Sequence, residues 1–117
     1  GAINVVDVMV GPHFPLYDDA FGTDPNYWRT ASPHHQLMPG SAPFLLVHMT
    51  AREQEGRSTQ KFLLKAGALG VRAESLPLDL THGEINSLLG LPGDYTLAVE
   101  DFMASLDLLV RWRLGGR

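Results

Sequence analysis

The amino-acid sequence predicts an α/β domain, a three-stranded, mostly parallel sheet with flanking helices. Three observations predict it. Residues 3–10, 43–49 and 71–78 are rich in aliphatic and β-branched side chains and are bounded by glycine or proline, so each reads as a strand. Between the second and third, residues 57–69 place Phe62, Leu63, Ala66 and Leu69 at helical spacing. Alternation of strand and helix implies right-handed crossovers and a parallel sheet, whose strands are apolar because helices cover both faces.

The elements follow in order. Ile3 to Val10 reads as a buried strand stopped by Gly11-Pro12. Residues 11–43 hold six of the eight prolines, and so read as a long irregular excursion. Within it, Asp24-Pro25 ahead of Asn26-Tyr27-Trp28-Arg29 has an N-cap and a first-turn proline, the start of a short helix. Pro43 to Met49 is the second strand, and Arg57 to Leu69 is the helix that Gly70 ends. Val71 to Leu78 is the third strand. After Thr81-His82-Gly83, a short helix from Glu84 ends at Gly90, and Asp94 caps a closing helix to Leu106 that reaches as far as Leu114 if it continues.

Composition bounds the function. The 117 residues are 44% hydrophobic and 19% charged, which suits one globular domain and argues against disorder. Net charge is −4 and the nine basic residues are scattered, so no nucleic-acid surface is expected. Cysteine is absent, which removes disulfides, a thiolate nucleophile and Cys-based zinc sites. Apolar runs fall well short of the ~20 residues that a membrane span needs. With no visible signal peptide, a cytoplasmic location is expected. The chain begins Gly-Ala-Ile without methionine, which reads as a tag scar, a processed end or an excised fragment. An apolar strand at the very start makes a poor natural edge, so further sheet upstream or in another chain is expected.

The chemistry gathers at Thr81-His82-Gly83, between a strand-like and a helix-like run. Open α/β sheets place functional groups just beyond the carboxyl ends of strands. The alternative for His82 is a packed or helix-capping histidine. Adjacent histidines His34-His35 face different ways and have no carboxylate at ligand spacing, so no metal or other cofactor is expected.

Several motifs stand in a fixed order: Ala20-Phe21-Gly22-Thr23-Asp24-Pro25, Ser32-Pro33, Ala42-Pro43-Phe44-Leu45-Leu46-Val47-His48, Gly70-Val71, Thr81-His82-Gly83-Glu84-Ile85-Asn86 and Leu89-Gly90-Leu91-Pro92-Gly93. Together they resemble the carboxyl-terminal half of an α/β-hydrolase, in the esterase, lipase and kynurenine-formamidase-like group, over about residues 3–106. The resemblance implies that residues 1–117 form a single, partial α/β-hydrolase domain. It also implies a serine, acid and histidine triad in that chain order.

His82 matches the base. The acid position, four residues after His48, is occupied here by Arg52, which cannot serve. Glu53 is next and Glu55 is in reach. Counting back from Gln60 favours Glu53, whereas a register nearer the helix favours Glu55. Both also read as solvated loop carboxylates. No Gly-x-Ser-x-Gly occurs, and neither Ser41 nor Ser58 has the context of a nucleophile elbow. The expected function is therefore the carboxyl-terminal portion of a serine hydrolase of esters or amides, inactive alone. Its partners would be a small ester or amide substrate and either the amino-terminal half or a second copy of the chain. The alternative is a stand-alone, non-catalytic domain for binding or dimerisation. The aromatics His13, Phe14, Tyr17, Phe21, Tyr27 and Trp28 read either as part of a substrate pocket or as a flap on the core.

Overall fold

A computed structural model describes residues 3–115; Gly1, Ala2, Gly116 and Arg117 lie outside the described residues. Four short helices come first: α1 (Val5–Val10), α2 (Pro15–Phe21), α3 (Pro25–Ala31) and α4 (Pro33–Gln36). Strand β1 (Phe44–Met49), helix α5 (Glu53–Ala68) and strand β2 (Ala73–Leu78) form one crossover unit. Helices α6 (His82–Leu88), α7 (Asp94–Leu106) and α8 (Leu108–Arg113) close the chain. None of the described helices is long and apolar enough to cross a membrane.

The three-stranded sheet is not formed. Among the described residues the sheet has two strands, β1 and β2, paired in parallel with Phe44 opposite Ala73 and Met49 opposite Leu78. The predicted first strand, Ile3 to Val10, is instead helix α1. Its four valines favour a strand only weakly, by a few tenths of a kcal/mol each relative to helix. Local signals outweigh that preference. The Asn4 side chain accepts from the Asp7 amide at 3.1 Å, and Asp7 sits favourably in the first turn. Val5 and Met9, one helical turn apart, are both buried. Residues 5–10 therefore present no strand edge for upstream sheet or a second chain to extend.

The proline-rich excursion is more ordered than its composition suggests. Prolines 15, 25 and 33 each open a helix, where a missing amide costs little. Asp24 caps α3 as the sequence predicts, accepting from the Asn26 amide at 2.9 Å. Two other boundaries move. Helix α5 starts at Glu53, a turn before the expected Arg57, so both candidate glutamates lie on a helix and not in a loop. Gly93 caps α7, with Asp94 inside its first turn, and Asp107 breaks the helix and caps α8.

The core is Leu37, Phe62, Ala66 and Val71, with Ile3, Phe44, Leu46, Leu69 and Ala73 packed on it. Phe62 is fully buried and meets Phe44 edge to face at 5.1 Å between ring centroids. Buried Ser32 ties α1 to the core, its hydroxyl accepting from the Val5 amide at 3.2 Å.

Backbone geometry defines the two edges. Phe44 N–H donates to the Arg72 carbonyl and Thr50 N–H to the Leu78 carbonyl, both at 3.0 Å. Backbone groups on a strand alternate sides, so Leu45, Val47 and Met49 turn theirs away from β2. A groove of about 250 Å³ runs along that side, lined by residues that include Ile3, Leu45, Val47 and Glu55. On β2, the same alternation turns Ala73, Ser75 and Pro77 outward.

Candidate functional site

Parallel pairing brings the carboxyl ends of β1 and β2 side by side. From β1 the chain runs through Thr50, Ala51 and Arg52 into α5; from β2 it runs through Asp79, Leu80 and Thr81 into α6. Between them lies an open crevice of about 500 Å³, whose walls include Met49, Arg52, Asp79, Thr81, His82 and Glu84.

Thr81 and Glu84 set the position of His82 through a reciprocal cap. The Thr81 hydroxyl accepts from the Glu84 amide at 3.2 Å, and the Glu84 carboxylate accepts from the Thr81 amide at 3.0 Å. The Thr81 backbone amide, followed by its hydroxyl, holds the Glu84 carboxyl below its usual value. Glu84 is thus committed to the cap. His82 is the first residue of α6 and is exposed. Among the described residues its ring makes no hydrogen bond to a carboxylate.

The two glutamates occupy different settings, and neither lines this crevice. The Glu53 side chain is 88% exposed and stands 3.6 Å from Arg57 one turn along α5. Glu55 is half-buried, and its carboxylate accepts from the Met49 amide at 3.1 Å. Burial pushes the Glu55 carboxyl up, yet it is held below its usual value, with the Met49 amide and the Arg52 charge among the causes. Two carboxylates share the crevice with His82: Glu84, which is held by the cap, and Asp79. Of these, Asp79 is not singled out by the sequence; its one signal is proximity, three residues before the histidine in one short loop.

A second, larger cleft of about 640 Å³ opens between the α1–α2 turn and the start of α5. Asp7, His13, Phe14, Tyr17, Arg52 and Glu55 are among its walls, so Arg52 borders both spaces. His13 is clamped, with Nδ1 2.8 Å from the Gly11 carbonyl and Nε2 2.7 Å from Asp18. The Asp18 carboxylate, and then the Gly11 carbonyl, raise the His13 pKa and favour the imidazolium. A ring held by acceptors at both nitrogens cannot act as a free base.

The other histidines and serines lie outside this crevice. The Ser32 hydroxyl lies 2.8 Å from His35 Nδ1, but Ser32 is sealed from solvent and holds the Val5 amide. Ser58 is buried within α5, and the Ser41 hydroxyl accepts from the Met38 amide at 3.1 Å. His34 and His35 meet edge to face at 5.2 Å, and burial lowers the pKa of each. His48 is half-buried on β1. Among the described residues, no three His, Cys, Asp or Glu side chains converge as a metal site. The crevice can therefore offer a proton acceptor, a guanidinium and a carboxylate to a small ligand. Comparison with protein-family models, curated proteins and solved structures finds no match to this chain.

Proposed function

We propose that the chain supplies the base and acid of a serine hydrolase acting on small esters or amides, completed by a separate segment or chain that carries the nucleophile and oxyanion hole. One observation carries this reading. Thr81-His82 opens a helix at the carboxyl end of β2, across a shared crevice from the β1–α5 junction. That is where an α/β unit collects catalytic loops. His82 acts as the base. Of the two glutamates, Glu55 is the better shielded and better held candidate acid; neither lines the His82 crevice, so the completing segment has to bring acid and imidazole together. The anchor of Glu55 is the Met49 amide, whereas Glu53 is open to solvent. The free side of β1 offers backbone groups on which the completing partner adds. Exposed Leu108, Leu109 and Trp112 on α8 favour the alternative of a binding or dimerising domain.

The test has two arms. The chain alone should not turn over an activated ester such as p-nitrophenyl acetate. Adding the segment encoded upstream in the same frame, if it carries Gly-x-Ser-x-Gly, should restore turnover. In that assembly His82→Ala should lower kcat by ~10³-fold or more. Turnover by the chain alone that a fluorophosphonate abolishes would overturn the reading, as would near-native kcat in the His82→Ala assembly.

A further inference from the structure

The 640 Å³ cleft has the size of a small-molecule site, and its walls are unevenly satisfied. Each acidic wall group already holds a donor. The Asp7 carboxylate lies 2.6 Å from Lys61 Nζ, and the Glu55 carboxylate holds the Met49 amide. His13 is clamped between Gly11 and Asp18. Arg52 differs. Among the described residues its guanidinium makes no hydrogen bond or ion pair, although it lies within the field of Glu55. A guanidinium presents a planar fork of donors that matches a carboxylate in two parallel hydrogen bonds. The apolar side of the cleft is also unused. Phe14 is 76% exposed, while Tyr17 is half-buried and stacks on Phe21 at 6.2 Å between centroids.

We propose that this cleft binds a small aromatic carboxylate, with Arg52 holding the carboxylate and Phe14 and Tyr17 holding the ring. A neutral ring would leave the Arg52 fork empty, and an aliphatic acid would leave Phe14 exposed. The pairing of an unfilled cation with an uncovered aromatic selects a ligand that has both groups. Arg52 stands where the resembling hydrolases keep an acid, so the residue that removes one expected role supplies another. Arg52 also borders the His82 crevice, so the carboxylate is anchored at the boundary of the two spaces while the ring lies in the larger one. That such a ligand is a substrate rests on the hydrolase reading; its binding does not.

The test is titration of the chain with phenylacetate, phenylacetamide and acetate, followed by amide chemical shifts and by calorimetry. Phenylacetate should bind at least about tenfold more tightly than either of the others, as expected for one charge-assisted pair and one covered ring. Shifts should centre on Phe14, Tyr17 and Arg52. Arg52→Gln should bring phenylacetate down to the level of phenylacetamide, and Arg52→Lys, which keeps the charge without the fork, should recover only part of the loss. Phe14→Ser should weaken both aromatic ligands. Thermal melts of the variants should match the parent, since both side chains are exposed. Equal affinity for phenylacetate and phenylacetamide would overturn the proposal, as would no shift at ~10 mM phenylacetate, or an Arg52→Gln chain that folds and still discriminates. Binding is read on the chain alone and ester turnover only in the completed assembly, so failure of the hydrolase reading and failure of this site are seen separately.

Discussion

Strands β1 and β2 have equal length and run side by side, yet their outer edges are finished differently. On β2 the outward positions include Pro77, which has no amide to offer, and the Arg72–Glu74 pair at 2.6 Å charges the entrance. Proline and charge are the usual means of making an edge unreceptive. On β1 the outward positions are Leu45, Val47 and Met49, all able to donate. Only the Met49 amide is taken up within the described residues, by Glu55. The difference teaches that β2 is built as a terminus of the sheet and β1 as a place where it can continue. An edge is defined by which backbone groups face out and what answers them, more than by strand hydrophobicity.

Proline substitution separates the two sides of β1 most strongly. Leu46 turns its amide toward β2, in phase with Phe44 and Thr50. Leu46→Pro should remove a ladder bond and leave its β2 acceptor unpaired, at about 1–3 kcal/mol beyond the cost of backbone fit. Val47 turns its amide outward, so Val47→Pro should cost about 1 kcal/mol, mainly through backbone fit. Leu46→Ala and Val47→Ala supply the packing correction for each position. Urea unfolding reads the four values, and equal corrected costs would mean that the register is wrong. Val47→Pro should also prevent any added strand from pairing along β1.

That comparison bears on what the sequence made legible. β1, α5 and β2 were readable because their apolar runs are continuous and the helix carries its own period. The first element was misread because Val5, Val6, Val8 and Val10 suggest a strand, while Asn4, Asp7 and the Val5–Met9 spacing suggest a helix. The second set prevailed because burial needed only one face. The start of α5 was missed for a related reason: Arg52 gives no side-chain cap, so nothing at residues 52–53 marked a helix terminus. The helix after β2 also starts earlier than its Glu84-Ile85-Asn86 run suggests: the Thr81–Glu84 cap makes His82 its first residue. Asp79 went unseen because a loop carboxylate has no period. Arg52 stands between two clefts because the α1–α2 turn faces the start of α5 across one of them, with Asp7 paired to Lys61, and no local pattern encodes that.

Glu55 gives a pH-dependent view of the β1 edge. Its folded-state carboxyl is held below the usual value of 4.5. A lowered folded pKa means that ionised Glu55 stabilises the fold above the unfolded value, and that this contribution fades as pH falls through the folded one. At pH 7, Glu55→Gln should cost about 1 kcal/mol by weakening the acceptor for Met49. The gap between parent and variant should close as the pH falls from above 4.5 down through the lower folded-state value. A gap that stays constant across this range would show that charge on Glu55 plays no part in covering the edge.

The smallest expected effect lies on the closed side. The Arg72 guanidinium sits 4.9 Å from the Phe102 ring centroid and links the start of β2 to α7. A space of about 270 Å³ remains beside it, bordered by Leu76, Ala98 and Phe102 among others, so α7 is held there by few contacts. Arg72→Ala removes the cation–π contact and the pair with Glu74, both partly exposed, and should cost about 0.5–1 kcal/mol in total. Raising the salt concentration should recover little of this, because the ring contact persists at an ionic strength that screens an exposed ion pair. Amide exchange offers the sharper readout. If Arg72 anchors α7 as a lid on the closed edge, Arg72→Ala should speed exchange in α7 while leaving β1 protected, since the β1–β2 ladder does not depend on that contact. Faster exchange in β1 as well would show that the guarded edge supports the open one, and the two sides of the sheet would then have to be treated as one cooperative unit.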